Sequence, residues 1–349
     1  MKNVNLRLQT NIKYSEYINL VEKVYEKDKK FKNSCEEIIK ELFENKGAFC
    51  ENSEAISMGV YDNLELIAAC FLVIPKNYQE AVLLCFFEAL PNYNQAVNLI
   101  IDYAGIIGKK NNCKKIIIGL NTHINAGAGI LVEEFSTNSY GNNYNPPYYV
   151  DYFKSFKATI HTMTSYKGAL EESSTKSIEK VVGRVCKKFT FREICLENFR
   201  EDMKLYTKLA NESFENHKFY YKREVQEDYE LYEPMLNILK SENILFAERE
   251  GELVGCLMWY PNYYEDCTRS IKIIEIGVLP KYTNSGVILG LFNECYKRVS
   301  KNYDFMESGW IFDDNLISKS MTNRWMKEVH KKFNIYELNL EISKVTKGE

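Results

Sequence analysis

GVLPKYTNSGVILGL, residues 277–291, changes its period part-way along. It closes an apolar run that begins at Ile271 (IKIIEIGVLPKY), which reads as a strand. Pro280 and then Asn284, Ser285 and Gly286 supply turn chemistry. Beyond them Ile288, Leu291, Phe292, Cys295 and Val299 recur at helical spacing. A strand that turns tightly into a helix leaves the first helical amides without internal partners, and such amides suit an anion. Gly286 is the one glycine at the turn, so the stretch is either a working phosphate loop or the shell of one.

Working outward, the same pattern occurs twice. ISMGVYDNLELIAACFLVIP (56–75) has two apolar runs about Asp62 and Asn63, and ILFAEREGELVGCLMWYP (244–261) has two about Glu250 and Gly251. Each reads as a β-hairpin. A further strand follows each hairpin and ends alike, VLLCFFEALPNY (82–93) and IKIIEIGVLPKY (271–282). Next comes a helical pattern, marked in the first copy by Ala96, Val97, Ile100, Ile101 and Ala104, and then another strand, KKIIIGLN or YDFMESGW. The second copy opens with FTFREI as a strand and a helix bearing Phe199, Met203, Tyr206, Ala210 and Phe214 on one face. The expected architecture is α/β (α+β), two tandem modules, each a mixed, mostly antiparallel sheet flanked by helices. The seam KGALEESSTKSIEKVVGRV (167–185) is polar and small, which gives a first module at 1–168, a linker or connecting helix at 169–184 and a second module at 185–349.

Composition excludes several classes of function. A formal net charge of −3 over 349 residues provides no broad positive field for nucleic acid or anionic membranes. No window approaches the length of an apolar membrane span, and MKNVNLRLQT lacks the apolar core of a secretory leader. The ten cysteines are scattered without a CxxC pair, and several lie in apolar runs, as expected of a reduced, cytoplasmic protein. His123, His161, His217 and His330 show no metal spacing, so no metal site is expected.

The strand order, with a fourth strand ending in GVLPKY before a helix, resembles the GNAT superfamily of acyl-CoA N-acyltransferases. LVEEFSTNSYGNNYNPPYYVDYFKSF (131–156), WIFDDN (310–315) and NIYE (334–337) are similar to segments of a bacterial family of two-domain GNAT-like proteins with a YNPPYY signature. The resemblance implies transfer of an acyl group from acetyl-CoA or another acyl-CoA to a small-molecule amine or amino-acid-like acceptor, by direct attack in a ternary complex. It implies no nucleic-acid partner and leaves a homodimer open. In typical GNAT enzymes the loop reads Q/R-x-x-G-x-G/A. Here Thr283 replaces the first residue, Gly286 is kept and Ile288 replaces the last small one. Ser285, Gly286 and Val287 would then hold the pyrophosphate, and Val278 and Leu279 the pantetheine. NYNQAVN in the first module has no glycine, so no cofactor is expected there.

The same resemblance makes Glu275, a lone acid in an apolar strand, the candidate base for the amine proton; the alternative is a solvent-facing glutamate. The helix after the fifth strand, KSMTNRWMKEVHKKF, carries no tyrosine to act as acid, which leaves Tyr336 as a substitute. Asn315 lies where such proteins place an asparagine near pantetheine, and equally where a helix cap belongs. Pro146 and Pro147 stiffen the backbone, so Tyr144, Tyr148 and Tyr149 either wall a pocket between the modules or pack the interface; Trp310 is a further substrate-side candidate. Two other functions stay open: a non-catalytic GNAT-fold protein binding a small molecule, lipid or peptide in the inter-domain cleft, and aminoacyl transfer from a charged tRNA, against which the acidic balance counts.

Overall fold

The computed structural model describes residues 5–28, 35–172, 179–264 and 269–340. In chain order the elements begin with β1 (Leu6–Thr10), α1 (Tyr14–Tyr25), α2 (Glu36–Glu44), α3 (Ala48–Glu51) and the hairpin β2 (Ser53–Asp62) and β3 (Glu65–Pro75). Asp62 faces Glu65, so the turn is Asn63–Leu64, one residue beyond the expected pair, with Asn63 at φ 56°. β4 (Ala81–Ala89), α4 (Asn94–Lys110), β5 (Lys115–Ile118), β6 (Ile130–Glu133), α5 (Tyr149–Phe153) and β7 (Thr159–Ala169) follow. The second copy comprises α6 (Glu179–Val185), β8 (Thr190–Glu193), α7 (Phe199–Ser213), α8 (Val225–Tyr232), β9 (Ile244–Arg249), β10 (Glu252–Pro261), β11 (Ser270–Val278), α9 (Val287–Val299), β12 (Phe305–Glu307), β13 (Ile311–Phe312) and α10 (Leu316–Thr322). β14 (Glu328–Asn339) ends the described chain.

Two compact units result. Unit 1 takes the described parts of 1–138, 142–163 and 332–349, and unit 2 takes 139–141 and 164–331. Residues 332–339, read from sequence as part of the second module, thus lie in unit 1, where Tyr336 to Asn339 pair antiparallel with Ile118 to Lys115. Of the expected linker, residues 173–178 fall outside the described chain.

In unit 1 the sheet order is β1-β2-β3-β4-β5-β14, with β4 and β5 parallel and the other pairings antiparallel. Every residue of β4 is buried, as a central strand covered on both faces requires. α4 lays Ala96, Val97, Ile100, Ile101 and Ala104 on that core, the face that its apolar spacing predicts.

In unit 2 the order is β7-β12-β11-β10-β9-β8, with β11 and β12 parallel. The β9–β10 loop is Glu250–Gly251 with φ 53° and 82°, a two-residue turn of the primed kind that matches strand twist. α9 buries Val287, Leu291, Phe292, Cys295 and Val299 in the core of this unit, each large side chain contributing about 1.5–3 kcal/mol. Gly290 lets the helix come down on Phe191, since a Cβ there would lie 2.2 Å from that ring. The stretch KSMTNRWMKEVHKKF departs from expectation, because the helix stops at Thr322 and β14 starts at Glu328. From Lys331 to Ile335 burial alternates, with Lys331, Phe333 and Ile335 inside, the period of a strand. Among the described residues no helix is long and apolar enough to cross a membrane, and no group of three or more His, Cys, Asp or Glu could hold a metal ion.

Candidate functional site

In unit 2 the ladder between β11 and β12 covers only Ser270 to Lys272. Past that point β11 pairs with β10 on its other side, and its register slips at Ile274, so that Met258 faces Glu275 while Trp259 faces Ile273. This bulge bends the strand and re-aims the side chain that follows it. That side chain is Glu275, half-buried. The Tyr206 hydroxyl on α7 donates to its Oε1 at 2.9 Å, and the Tyr232 hydroxyl lies 3.3 Å from that of Tyr206.

Behind this pair, Arg223 and Asp228 form a fully buried ion pair at 3.1 Å. Asp228 Oδ2 accepts from Thr207 Oγ1 at 2.8 Å, and Asn211 Oδ1 accepts from the Arg223 amide at 3.0 Å. The Arg223 guanidinium sits 5.9 Å from the Tyr206 ring centre and 5.7 Å from that of Tyr220. Burial works against its charge, but Asp228, Tyr206, Glu275 and Tyr220 together hold it firmly protonated. Burial and then the Glu275 charge push the Tyr206 hydroxyl well above its ordinary range, so it remains a donor at neutral pH. Sequence reading placed Tyr206 only on a core face and singled out neither Arg223 nor Asp228; a charged pair between aromatic runs (FYYKREVQEDY) was the available signal.

The loop after β11 is a short 3₁₀ turn, Pro280–Tyr282, followed by Gly286 at φ 82° as the N-cap of α9. Only glycine takes that conformation without strain, and a Cβ there would also come within 2.9 Å of Val185. Ser285 Oγ donates to the Tyr282 carbonyl at 2.6 Å and accepts from the Val287 amide at 3.4 Å. Its proton is therefore already committed inside the loop. Ile288 packs partly buried against the core. The Leu279 amide donates to the Val254 carbonyl at 3.0 Å, and Val278 faces Gly255 in the β10–β11 ladder.

The remaining candidates separate. Tyr336 is buried in unit 1, in the core cluster that holds Phe153. Asn315 caps α10, its Oδ1 accepting from the Ser318 amide at 3.1 Å, which is the structural alternative noted above. Trp310 is half-buried beside His217 and Phe312, with ring centres 6.1 and 5.8 Å away.

Tyr144, Tyr148 and Tyr149 all bond inside unit 1. The Tyr148 hydroxyl donates to the Ala89 carbonyl at 2.8 Å, the Ala89 amide donates to Tyr149 Oη at 2.8 Å, and that hydroxyl in turn donates to Glu88 at 2.7 Å. Tyr152 completes the set, accepting from the Tyr93 amide at 3.2 Å and donating to the Leu90 carbonyl. These are the backbone groups at the end of β4 and at the turn before α4, the counterparts in unit 1 of Val278, Leu279 and the Gly286 loop. In unit 1, tyrosine side chains meet them.

Residues 204–324 match the acetyltransferase (GNAT) family. The matched span runs from within α7 to just past α10 and so covers most of unit 2. No curated protein matches the sequence. Among solved structures, a tandem GNAT protein from the clavulanic acid biosynthesis pathway is similar at TM-score 0.59 and 9% identity, covering 96% of this chain and 99% of its own. A GCN5-related N-acetyltransferase from Sphaerobacter thermophilus is similar at 0.55 and 10%, covering 96% of both chains. A GNAT acetyltransferase from Colwellia psychrerythraea is similar at 0.51 and 11%, covering 95% of this chain and 100% of its own. At such identities the likeness concerns the fold, which is that of tandem GNAT modules.

Proposed function

We propose that unit 2 transfers an acyl group from acyl-CoA to the nitrogen of a small-molecule or amino-acid-like amine. The observation that carries this reading is Glu275, half-buried directly after the bulge and followed on one continuous strand, turn and helix by Gly286. The fit to the cofactor rests on backbone. Gly286, Val287 and Ile288 open α9 with amides suited to a pyrophosphate, and β11 beyond Lys272 has left its β12 partner, so the backbone of Val278 is available to the pantetheine amides, while the Leu279 amide stays bonded to Val254. Bound there, acyl-CoA supplies the electrophilic thioester. Ser285 contributes its place in the turn rather than its hydroxyl.

Glu275 takes the proton of the incoming ammonium, leaving a free lone pair to attack the thioester carbonyl; the C–N bond forms as the C–S bond breaks. Tyr206, held by Arg223 and Tyr232, keeps the carboxylate aimed. The second proton of that nitrogen passes, directly or through solvent, to the departing thiolate, which leaves as the free thiol.

Titration calorimetry with acetyl-CoA, a long-chain acyl-CoA and free CoA tests the loop. Saturable binding that Gly286→Glu abolishes, with an unchanged far-ultraviolet circular dichroism spectrum, is the expected result; no binding to any of the three overturns it. In a screen of amines, Glu275→Gln should retain acyl-CoA binding and lower kcat by about 10²–10⁴-fold. A second reading, binding without turnover, is favoured by the burial of both tyrosines beside Glu275, Tyr206 and Tyr232, which presents no tyrosine acid to a leaving thiolate there. Saturable acyl-CoA binding with no acceptor turned over would select it.

A further inference from the structure

Unit 1 contains a cavity of about 80 Å³, several times what a single water needs. Its wall includes Tyr17, Tyr25, Phe87, Glu88, Asn142 and Tyr149. Asn142 is 6% exposed, and neither its Oδ1 nor its Nδ2 has a hydrogen-bond partner. A buried amide with both atoms unmet costs on the order of 1–3 kcal/mol per group, which a ligand able to accept and donate there would offset.

Glu88 faces the same space, buried after its own bulge in β4, where two residues, Phe86 and Phe87, stand opposite Cys70 alone. Phe86 is held at φ 49°, inside a strand, by the Tyr17 hydroxyl donating to its carbonyl at 2.9 Å and by Asn121 Oδ1 accepting from its amide at 2.8 Å. A bulky residue is kept in that region only where its surroundings over-determine it, and such strain collects at binding sites. Among the described residues no lysine, arginine or histidine lines the cavity. A carboxyl group, an unmet amide and aromatic rings, with no cation, suit an ammonium ion rather than an anion.

We infer that the unit 1 cavity binds a small primary ammonium carrying a neighbouring hydroxyl or carbonyl oxygen, its N–H groups donating to Glu88 and Asn142 Oδ1 and its oxygen accepting from Asn142 Nδ2. The site does not depend on acyl transfer by unit 2 and is read by binding alone. The titratable groups facing Glu88 are the hydroxyls of Tyr17, Tyr25, Tyr148 and Tyr149, all pushed above their ordinary range by burial. None of them ionises near pH 7, so proton release on binding would report on Glu88. Burial raises its pKa to about 8, against the opposing hydrogen bonds from Tyr149 and Tyr25.

The test is calorimetry on the full chain with three two-carbon probes that differ in charge: ethanolamine, ethylene glycol and glycolate. Ethanolamine should bind saturably, while the other two should not. Across buffers of different ionisation enthalpy at pH 7, its binding should release most of one proton as Glu88 ionises. Glu88→Gln should weaken binding about tenfold or more and abolish the proton release. Asn142→Ala should weaken binding severalfold and keep the release, a second variant in case the first fails to fold. Glycolate binding as tight as ethanolamine, wild-type affinity in Glu88→Gln, or absence of saturable ethanolamine binding overturns the inference. Binding lost in Glu275→Gln but kept in Glu88→Gln would place the amine in unit 2 and overturn it equally.

Discussion

Glu88 and Glu275 show how one residue type in one setting acquires different chemistry. Each follows a bulge on its fourth strand, and each accepts from a tyrosine on another element. Glu88 is buried and Glu275 half-buried. For Glu88, burial outweighs the hydrogen bonds from Tyr149 and Tyr25 and raises the folded-state pKa to about 8. The unfolded chain binds fewer protons than the folded one between its own carboxyl pKa, about 4.3, and 8, so stability falls as pH rises through that window. Relative to Glu88→Gln, the wild type should lose about 1.4 kcal/mol per pH unit there and run parallel outside it. Urea titrations of both proteins at several pH values check this; parallel curves throughout would show that Glu88 does not titrate.

At the scale of elements, α7 and α8 are tied by a charge that has no exit to water. Asp228 on α8 receives Thr207 from α7 and pairs with Arg223 in the segment between them. Removing one member of a buried pair strands the other, so Asp228→Asn should cost about 3–5 kcal/mol, measured as a lowered denaturation midpoint. Loss of less than 1 kcal/mol would mean that Arg223 finds another partner.

Much at this level was legible in sequence. Both hairpins, α4, α7 and α9 follow from local period and turn residues, and the recurrence of LP-x-Y fixed their equivalence. KSMTNRWMKEVHKKF misleads for a physical reason: Met321, Trp325, Val329 and Phe333 recur every fourth residue among good helix formers, while pairing with a distant strand imposes period two from Lys331. The candidate site was half legible. Glu275 stands out as a lone acid in an apolar strand, and Glu88 carries the same mark. What distinguishes them is supplied by Tyr206, Arg223, Tyr25 and Tyr149, side chains from other elements, which no local pattern announces.

At the scale of the whole molecule, unit 1 is built from segments that are not contiguous in the chain. Its last strand, residues 332–339, buries Phe333, Ile335 and Tyr336, each contributing about 1.5–3 kcal/mol. That sum is comparable with the net stability of an ordinary domain. A chain stopped at Lys331 retains the rest of unit 2 but leaves Lys115–Ile118 as an open, apolar edge. It should lose amide-exchange protection on β5 and self-associate in size-exclusion chromatography. A monomer with native β5 protection would show that the strand is dispensable.

The same connectivity sets an order of events during synthesis. The ribosome makes most of unit 1 first, yet that unit must wait for the final strand before its sheet closes, at about 5–20 residues per second. The whole of unit 2 can collapse in the interval. The earlier half of the polypeptide is thus the later to mature, and the waiting edge of β5 is where a nascent chain of this protein most needs shelter from its neighbours.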